Sequence, residues 1–401
     1  MEGTTVNRRT DPRISVCVVG WWPEPGSVNG TFIREHVKAI ARYRPVEVVY
    51  MQVVKSRVPW PRISDVVEMD EGMTVHRITM RTPLRRFGVP AILARIALRR
   101  TLRQLQVRST AGLLHIHVRT DLTEVALPLA RAAGLPAVLT EHNSFYHLGI
   151  RSLPPTEQAR ERASIKKWLA SAALDHIMPV SLDLARVLHT DYGVGMERMT
   201  VVGNVAAEVF KPAAFKERGS FRLLLAAVWR PPKDHDVFIR AMALLPDDVK
   251  GRCSVEWAGY GPDMDRIRTR CAKELPGVDV RFPGLLDKND LAHRMQQADL
   301  FVLPTTADNL PCVVLESLCC GTPVLSMAVN GVPEMVDASN GILVPPSDPT
   351  ALADALLACI TGEAAFDREH IAREAISRYS PQAIGAAIEE VYIRVMDAHD
   401  R

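Results

Sequence analysis

No apolar run in this 401-residue chain reaches the roughly 18–20 residues that crossing a bilayer requires. The N-terminal stretch MEGTTVNRRTDPR lacks the apolar core of a secretory signal, and a strand-like run follows it directly. Cysteine is sparse: Cys17, Cys253, Cys271, Cys312, Cys319, Cys320 and Cys359 are odd in number, form no C-x-x-C pair and lie mostly in apolar runs. That favours a reducing compartment and small buried side chains over disulfides or zinc. The expected location is cytoplasmic, with peripheral contact at the inner face of the cell membrane. No G-x-G-x-x-G follows the first strand of either half, which argues against a dinucleotide oxidoreductase.

Acidic residues are missing in one place. From Gly72 to Thr120 there is no Asp or Glu, although the whole chain carries a net charge of only +3. Arg77, Arg81, Arg85, Arg86, Arg95, Arg99, Arg100, Arg103 and Arg108 accumulate there, and VPAILARIALRRTLRQL alternates apolar and arginine positions at helical spacing. This 81–108 region reads either as a solvated basic face or as one held against anionic lipid headgroups or an anionic acceptor. Nucleic acid is not an expected partner, because no aromatic residue beyond Phe87 interleaves the arginines.

What is present is strand–helix alternation throughout. It predicts an α/β protein of parallel sheets with helices on both faces. ISVCVVG, VEVVYMQVV, TVHRITM, LLHIHV, AVLTEH, DHIMPV and MTVVGN read as strands of a first half, with a helix near Asp121–Ala133. The polar stretch around Lys211–Ser220 reads as a linker. The plan then repeats from FRLLLAAVW, and three helices close the chain. At this length one core is not enough, so two Rossmann-like domains facing a central cleft are expected. Their bounds are 1–210, joined by a crossover helix at about 381–401, and 211–380. In such sheets ligands sit outside the C-terminal strand ends.

The densest stretch is Asp308–Glu334. A carboxylate follows the apolar run LFVLPTT, Pro311 opens a short apolar helix, Gly321 ends it, and Glu316 lies eight positions after Asp308. A helix N-terminus is a ready anion site, and carboxylates beside it accept hydrogen bonds from sugar hydroxyls. Together they suggest a pocket for a phosphosugar or nucleotide-sugar.

AGYGP at 258–262, FPGLL at 282–286, ADLFVLPTTADNLPCVVLESLCCGTPV at 298–324, NGVPEMV at 330–336 and NGILVPPSDP at 340–349 carry a resemblance. Weaker echoes are NGTFIREHV, LTEHNSF, MPVS and VVGNVAAEVF. The chain resembles the family-4 retaining glycosyltransferases of the GT-B fold, including bacterial surface-polysaccharide enzymes.

That resemblance implies roles. Glu316 would bind the ribose of the donor nucleotide. Asp308, where most members carry Glu, would contact the donor sugar near the reacting centre. Asn309, Leu310 and Pro311 would shape the loop whose following N–H groups, from Cys312 and Val313, meet the diphosphate. Lys233 would neutralise the donor phosphates; its usual arginine companion is replaced by Val228, leaving Arg230 as the nearest substitute. Gly26, Asn29 and Gly30 would lie near those phosphates. His117 and His142 each end a strand, and His142 fits the family's active-site histidine better; Glu141 reads as structural. The Asp-x-Asp triplets Asp234–Asp236 and Asp263–Asp265 read as helix caps, so no metal is expected.

The implied activity is retaining, metal-independent transfer of a hexosyl group from a UDP- or GDP-linked sugar, with no further cofactor. The acceptor would be a glycan or a lipid-linked molecule in bacterial polysaccharide or glycolipid synthesis. A sugar-nucleotide epimerase of the same fold and a non-catalytic nucleotide-sugar-binding protein remain the alternatives.

Overall fold

The computed structural model describes residues 14–24, 27–57, 60–83, 89–108, 111–146, 148–214 and 219–401. Gly26, Arg85 and Arg86 of the sequence reading lie outside the described residues. The chain divides into two compact units: one of residues 1–180, 185–202 and 384–401, the other of residues 181–184 and 203–383.

The N-terminal unit is built from β1 (Ile14–Val19), α1 (Thr31–Ile40), β2 (Val46–Lys55), β3 (Arg62–Asp70), β4 (Met73–Thr82) and α2 (Val89–Arg108). It continues with β5 (Ala111–His117), α3 (Ala126–Ala133), β6 (Ala137–Glu141), α4 (Leu148–Ser152), α5 (Pro155–Leu169), β7 (His176–Pro179) and most of α6 (Leu182–Tyr192). The sheet order is β3-β4-β2-β1-β5-β6-β7. Without β3 this is the doubly wound order, whose switch point falls between β1 and β5.

Strict parallel alternation fails at one edge. β3 pairs antiparallel with β4, and Asp70 faces Met73 across a two-residue turn. Glu71 (φ 46°) and Gly72 (φ 87°) both have positive φ, the backbone that a tight hairpin turn requires. The expected strand at MTVVGN is not a ladder strand. Its Thr200 and Val202 amides donate to Ile177 and Pro179, and there the pairing ends. The helix expected from Asp121 starts only at Ala126, because Thr123 Oγ1 donates to the Val118 carbonyl and holds a turn.

The C-terminal unit runs β8 (Phe221–Val228), α7 (His235–Leu244), α8 (Asp247–Lys250), β9 (Cys253–Tyr260), α9 (Met264–Glu274), β10 (Asp279–Gly284) and α10 (Lys288–Gln297). Then come β11 (Leu300–Leu303), α11 (Cys312–Cys319), β12 (Val324–Met327), β13 (Gly341–Val344), α12 (Pro349–Thr361), α13 (Arg368–Tyr379) and α14 (Pro381–His399). Its sheet is wholly parallel, in the order β10-β9-β8-β11-β12-β13, with a switch point between β8 and β11. β11 and β12 are buried on both faces, which is why LFVL and VLSM read as continuous apolar runs.

From Ile384 onward α14 belongs to the N-terminal unit. Its Glu389 carboxylate takes two hydrogen bonds from the buried Arg44 guanidinium, at 2.7 and 2.5 Å. The Tyr392 hydroxyl lies 2.6 Å from His115 Nδ1. Among the described residues no helix is long and apolar enough to cross a membrane.

Candidate active site

The sequence-predicted residues assemble at the two switch points, one set in each unit. In the C-terminal unit Lys233 follows β8 and Asp308 follows β11, the two strands that flank the reversal of strand order. Their loops are stitched together: the Asp234 amide donates to the Pro304 carbonyl and the Thr306 amide to that of Pro232. This brings Lys233 Nζ to 2.5 Å from Asp308 Oδ2, with both side chains partly exposed. Residues 75 positions apart thus form one ion pair.

Asp308 is held from the far side as well. Its amide donates to Asn330 Oδ1, and its carbonyl accepts from the Gly331 amide, both at 3.3 Å. A Cβ on Gly331 would sit 1.7 Å from the Asn309 carbonyl oxygen, so only glycine lets the two loops touch. Leu310 is fixed by Asn204, whose Nδ2 donates to its carbonyl at 2.7 Å. Asn309, Leu310 and Pro311 are buried, whereas Cys312, Val313 and Glu316 are half-buried along α11.

Pro311 stands at the N-cap, one position before the first helical residue, and supplies no side-chain cap. The positive end of α11 is therefore not neutralised by a capping side chain. Glu316 lies a little over one turn into the helix. Arg230 is exposed just past β8, three residues from Lys233. Asn204, Asn330 and Gly331 escaped the sequence reading as positioning residues. NGVPEMV was visible as a motif, but which backbone groups its Asn and Gly would meet depends on the fold.

The Asp-x-Asp carboxylates have protein partners. Asp234 caps α7, accepting from the Val237 amide with Oδ1 and from Ser347 Oγ with Oδ2. Asp236 pairs with Arg266 and Arg270, and Asp263 lies 3.7 Å from Arg266. A cavity of about 380 Å³ opens at the other, N-terminal edge of this sheet, lined in part by Arg222, Arg281 and Arg294. Those cations pair with Asp299, Asp279 and Glu256, so its charge is internally balanced.

In the N-terminal unit Gly30 caps α1 with φ 81°. A Cβ there would lie 2.8 Å from the Trp22 amide nitrogen, a backbone contact that cannot give way. His117 ends β5 and His142 follows β6, so both reach the same strand-end region. There they meet His36 from α1: the His36 and His142 rings are 4.8 Å apart, and each lies 5.9 Å from His117. Phe32 packs 4.8 Å from His142. Burial, reinforced by the neighbouring imidazoles, holds His117 well below the usual histidine range. The next residue, Val118, has φ 67°, a strained conformation for a β-branched residue that costs about 1–3 kcal/mol.

Glu141 is wholly buried and accepts from the Arg119 and Asn143 amides and the Tyr146 hydroxyl, at 2.8–3.1 Å. It fixes the loop that presents His142, while burial pushes its pKa up. His36 is the residue of this group that sequence reading passed over. NGTFIREHV contains it, but helical spacing alone does not show which strand end it faces.

Comparisons agree with this architecture. The sequence family described as Glycosyl transferases group 1 matches residues 208–382, and Glycosyltransferase Family 4 matches residues 28–206. The D-inositol 3-phosphate glycosyltransferase 1 of Catenulispora acidiphila is 29% identical over 375 residues, covering 84% of each chain. The sucrose-phosphate synthase of Thermosynechococcus elongatus superposes with a TM-score of 0.72 at 18% identity, over 96% of this chain and 100% of the other. HepE from Anabaena, solved with UDP and glucose, gives 0.69 at 16% identity over 94% and 98% of the two chains. Two Rossmann-like sheets in the doubly wound order, a motif set spanning both, and consecutive family matches identify this chain as a member of the family-4 glycosyltransferases with the GT-B fold.

Proposed function

We propose that the chain transfers a sugar, with retention of anomeric configuration and without a metal, from a UDP- or GDP-sugar to a glycan or lipid-linked acceptor. The observation that carries this reading is the Lys233–Asp308 pair beside the uncapped N-terminus of α11. A nucleoside diphosphate leaves with growing negative charge, and a preorganised cation with helix N–H groups stabilises that charge where it develops. Lys233 takes this role, with the exposed Arg230 as its companion, while Cys312 and Val313 offer backbone amides to the diphosphate. Glu316 accepts the ribose hydroxyls.

Asp308 has a different task. Its carboxylate anchors Lys233 and accepts from the donor sugar, so it steadies the ring and is not consumed as a nucleophile. In the retaining reaction proposed here the departing phosphate oxygen helps take the proton of the acceptor hydroxyl, so both atoms of the exchange are supplied by substrate. His142 is the group proposed to assist at the reacting sugar. UDP is the favoured donor nucleotide, because HepE, a fold neighbour, was solved with UDP.

Thermal shift with UDP- and GDP-sugars tests the donor. One nucleotide series should raise the melting temperature, since a ligand at about a hundred times its Kd stabilises the native state by about 2.7 kcal/mol. Glu316→Ala should reduce the shift to about half or less. No response to any nucleotide-sugar would sink the donor assignment, and NMR of the product's anomeric configuration tests retention.

The acceptor side supports contact with an anionic membrane. On α2, Ala94, Leu98, Thr101 and Leu102 are buried, while Arg95, Arg99, Arg100 and Arg103 are exposed beside Ile92 (59% exposed) and Ile96 (55%). Such a face combines charge attraction with apolar insertion. Vesicles rich in anionic lipid should raise transfer several-fold, and Arg95→Glu with Arg99→Glu and Arg100→Glu should remove that stimulation. Equal activity with neutral and anionic vesicles would end this part of the reading.

A further inference from the structure

The histidine group of the N-terminal unit carries more than the transfer reaction asks of it. His36, His117 and His142 come from three separate elements, yet their ring nitrogens converge to within 4.8 Å of one another. His117 is fully buried, and neither of its ring nitrogens has a hydrogen-bond partner among the described residues. A buried polar group without a partner forfeits about 1–3 kcal/mol, so it calls for an occupant. His115, whose ring lies 3.9 Å from that of His117, is different: Tyr392 Oη and Thr140 Oγ1 engage its two nitrogens at 2.6 and 2.7 Å. A second grouping, of Cys17, His115 and His117, is therefore already committed at one member.

The donor set is all imidazole. That chemistry favours zinc, copper, nickel or cobalt and disfavours magnesium or calcium, which take oxygen ligands. At metal–nitrogen distances of about 2.0–2.1 Å, tetrahedral ligands stand roughly 3.4 Å apart, so ring nitrogens that lie within 4.8 Å of one another need close by at most about 1.4 Å. His142 is the least buried of the three as a residue.

We propose that His36, His117 and His142 form a three-histidine site for a divalent transition-metal ion, and that a bound ion reversibly inhibits transfer. The inhibitory half rests on the role given to His142 above, because an ion on that ring withdraws it from the reaction. The binding half does not depend on that role. The ion takes up lone pairs on three imidazoles and displaces no described hydrogen bond of His117.

The test uses the full chain without a histidine tag, stripped by a chelator and titrated with Co²⁺. One equivalent should bind with the visible absorption of a tetrahedral nitrogen site, and Zn²⁺ should displace it. His36→Gln, His117→Gln and His142→Gln should each weaken binding about a hundredfold, at least the loss seen on disturbing a metal site's outer shell. Cys17→Ser should leave it unchanged. His142→Gln, the least buried change, keeps the test valid should the deeper variants misfold. No Co²⁺ uptake at millimolar concentration would show these histidines to be core packing only, and undiminished binding in His142→Gln would place the ion elsewhere. Transfer should fall with the same midpoint as binding and return on chelation. Full turnover with the ion bound would overturn the inhibitory half, whereas a metal-free chain that never transfers would count against the proposed function instead.

Discussion

In the N-terminal unit the strand ends at the switch point carry imidazoles packed among apolar rings; in the C-terminal unit the equivalent ends carry an ion pair and a bare helix terminus. Apart from the antiparallel edge strand β3, the strand order is the same. The difference lies in how each site treats charge. His117 is fully buried, and its neutral form is enforced by burial and by its neighbours. Lys233 and Asp308 remain partly exposed and lie 2.5 Å apart as an ion pair. One scaffold therefore offers a desolvated end and a polarised end, and chemistry follows the loops rather than the sheet.

The largest effect expected from breaking this contrast is on stability. Glu389→Ala would leave Arg44 as a buried, uncompensated cation, costing about 3–5 kcal/mol. Hydrogen exchange should report the loss in the N-terminal unit and leave the sheet of the C-terminal unit protected; uniform loss would mean that the two cores are energetically one. Next comes Lys233→Ala, which should lower kcat about 10²–10³-fold, as removal of a preorganised charge-stabilising group does. A tenfold loss or less would shift that duty to Arg230.

A finer division lies within α11 and its leading loop. Glu316→Ala should weaken donor binding about 10–100-fold, the worth of hydrogen bonds to a charged group, with kcat nearly retained. Asp308→Ala should mainly slow transfer by a comparable factor. Two mutants with the same kinetic signature would erase the distinction between nucleotide contact and sugar contact.

The smallest effect is a pH dependence confined to the N-terminal unit. His176 is pushed down to about 4, chiefly by burial and then by Arg394 and Arg198. Its stabilising contribution is complete above the unfolded value of about 6.5 and is lost as pH falls from there toward about 4. His76 is shifted up, first by its hydrogen bond to Glu47. Its contribution is complete below about 6.5 and is lost as pH rises through the raised value. His176→Asn should flatten the acid limb of the stability profile and His76→Asn the limb above pH 6.5, both measured by denaturant midpoint.

Much of this was legible in the residues. Buried parallel strands announce themselves as runs such as LFVL and VLSM, and helix ends by Asp, Pro and Gly. β3 was not seen, because RISDVVEMD exposes Val66, Val67 and Met69 at a sheet edge and so shows no clean alternation. The Glu71–Gly72 turn was its one available signal. At the site, Lys233, Asp308 and Glu316 were visible through motif resemblance. Gly331 against Asn309, Asn204 against Leu310, and His36 against His142 are meetings of distant segments, and no local period encodes them.

The return of α14 has a bearing on how the molecule is made. Arg44 and His115 find their partners in Glu389 and Tyr392, which the ribosome adds more than 270 residues after either of them. At roughly 5–20 residues per second, that is a wait of about 15–70 s. Residues 203–383 are all synthesised before the last helix is complete, so the unit begun first is the last to be finished.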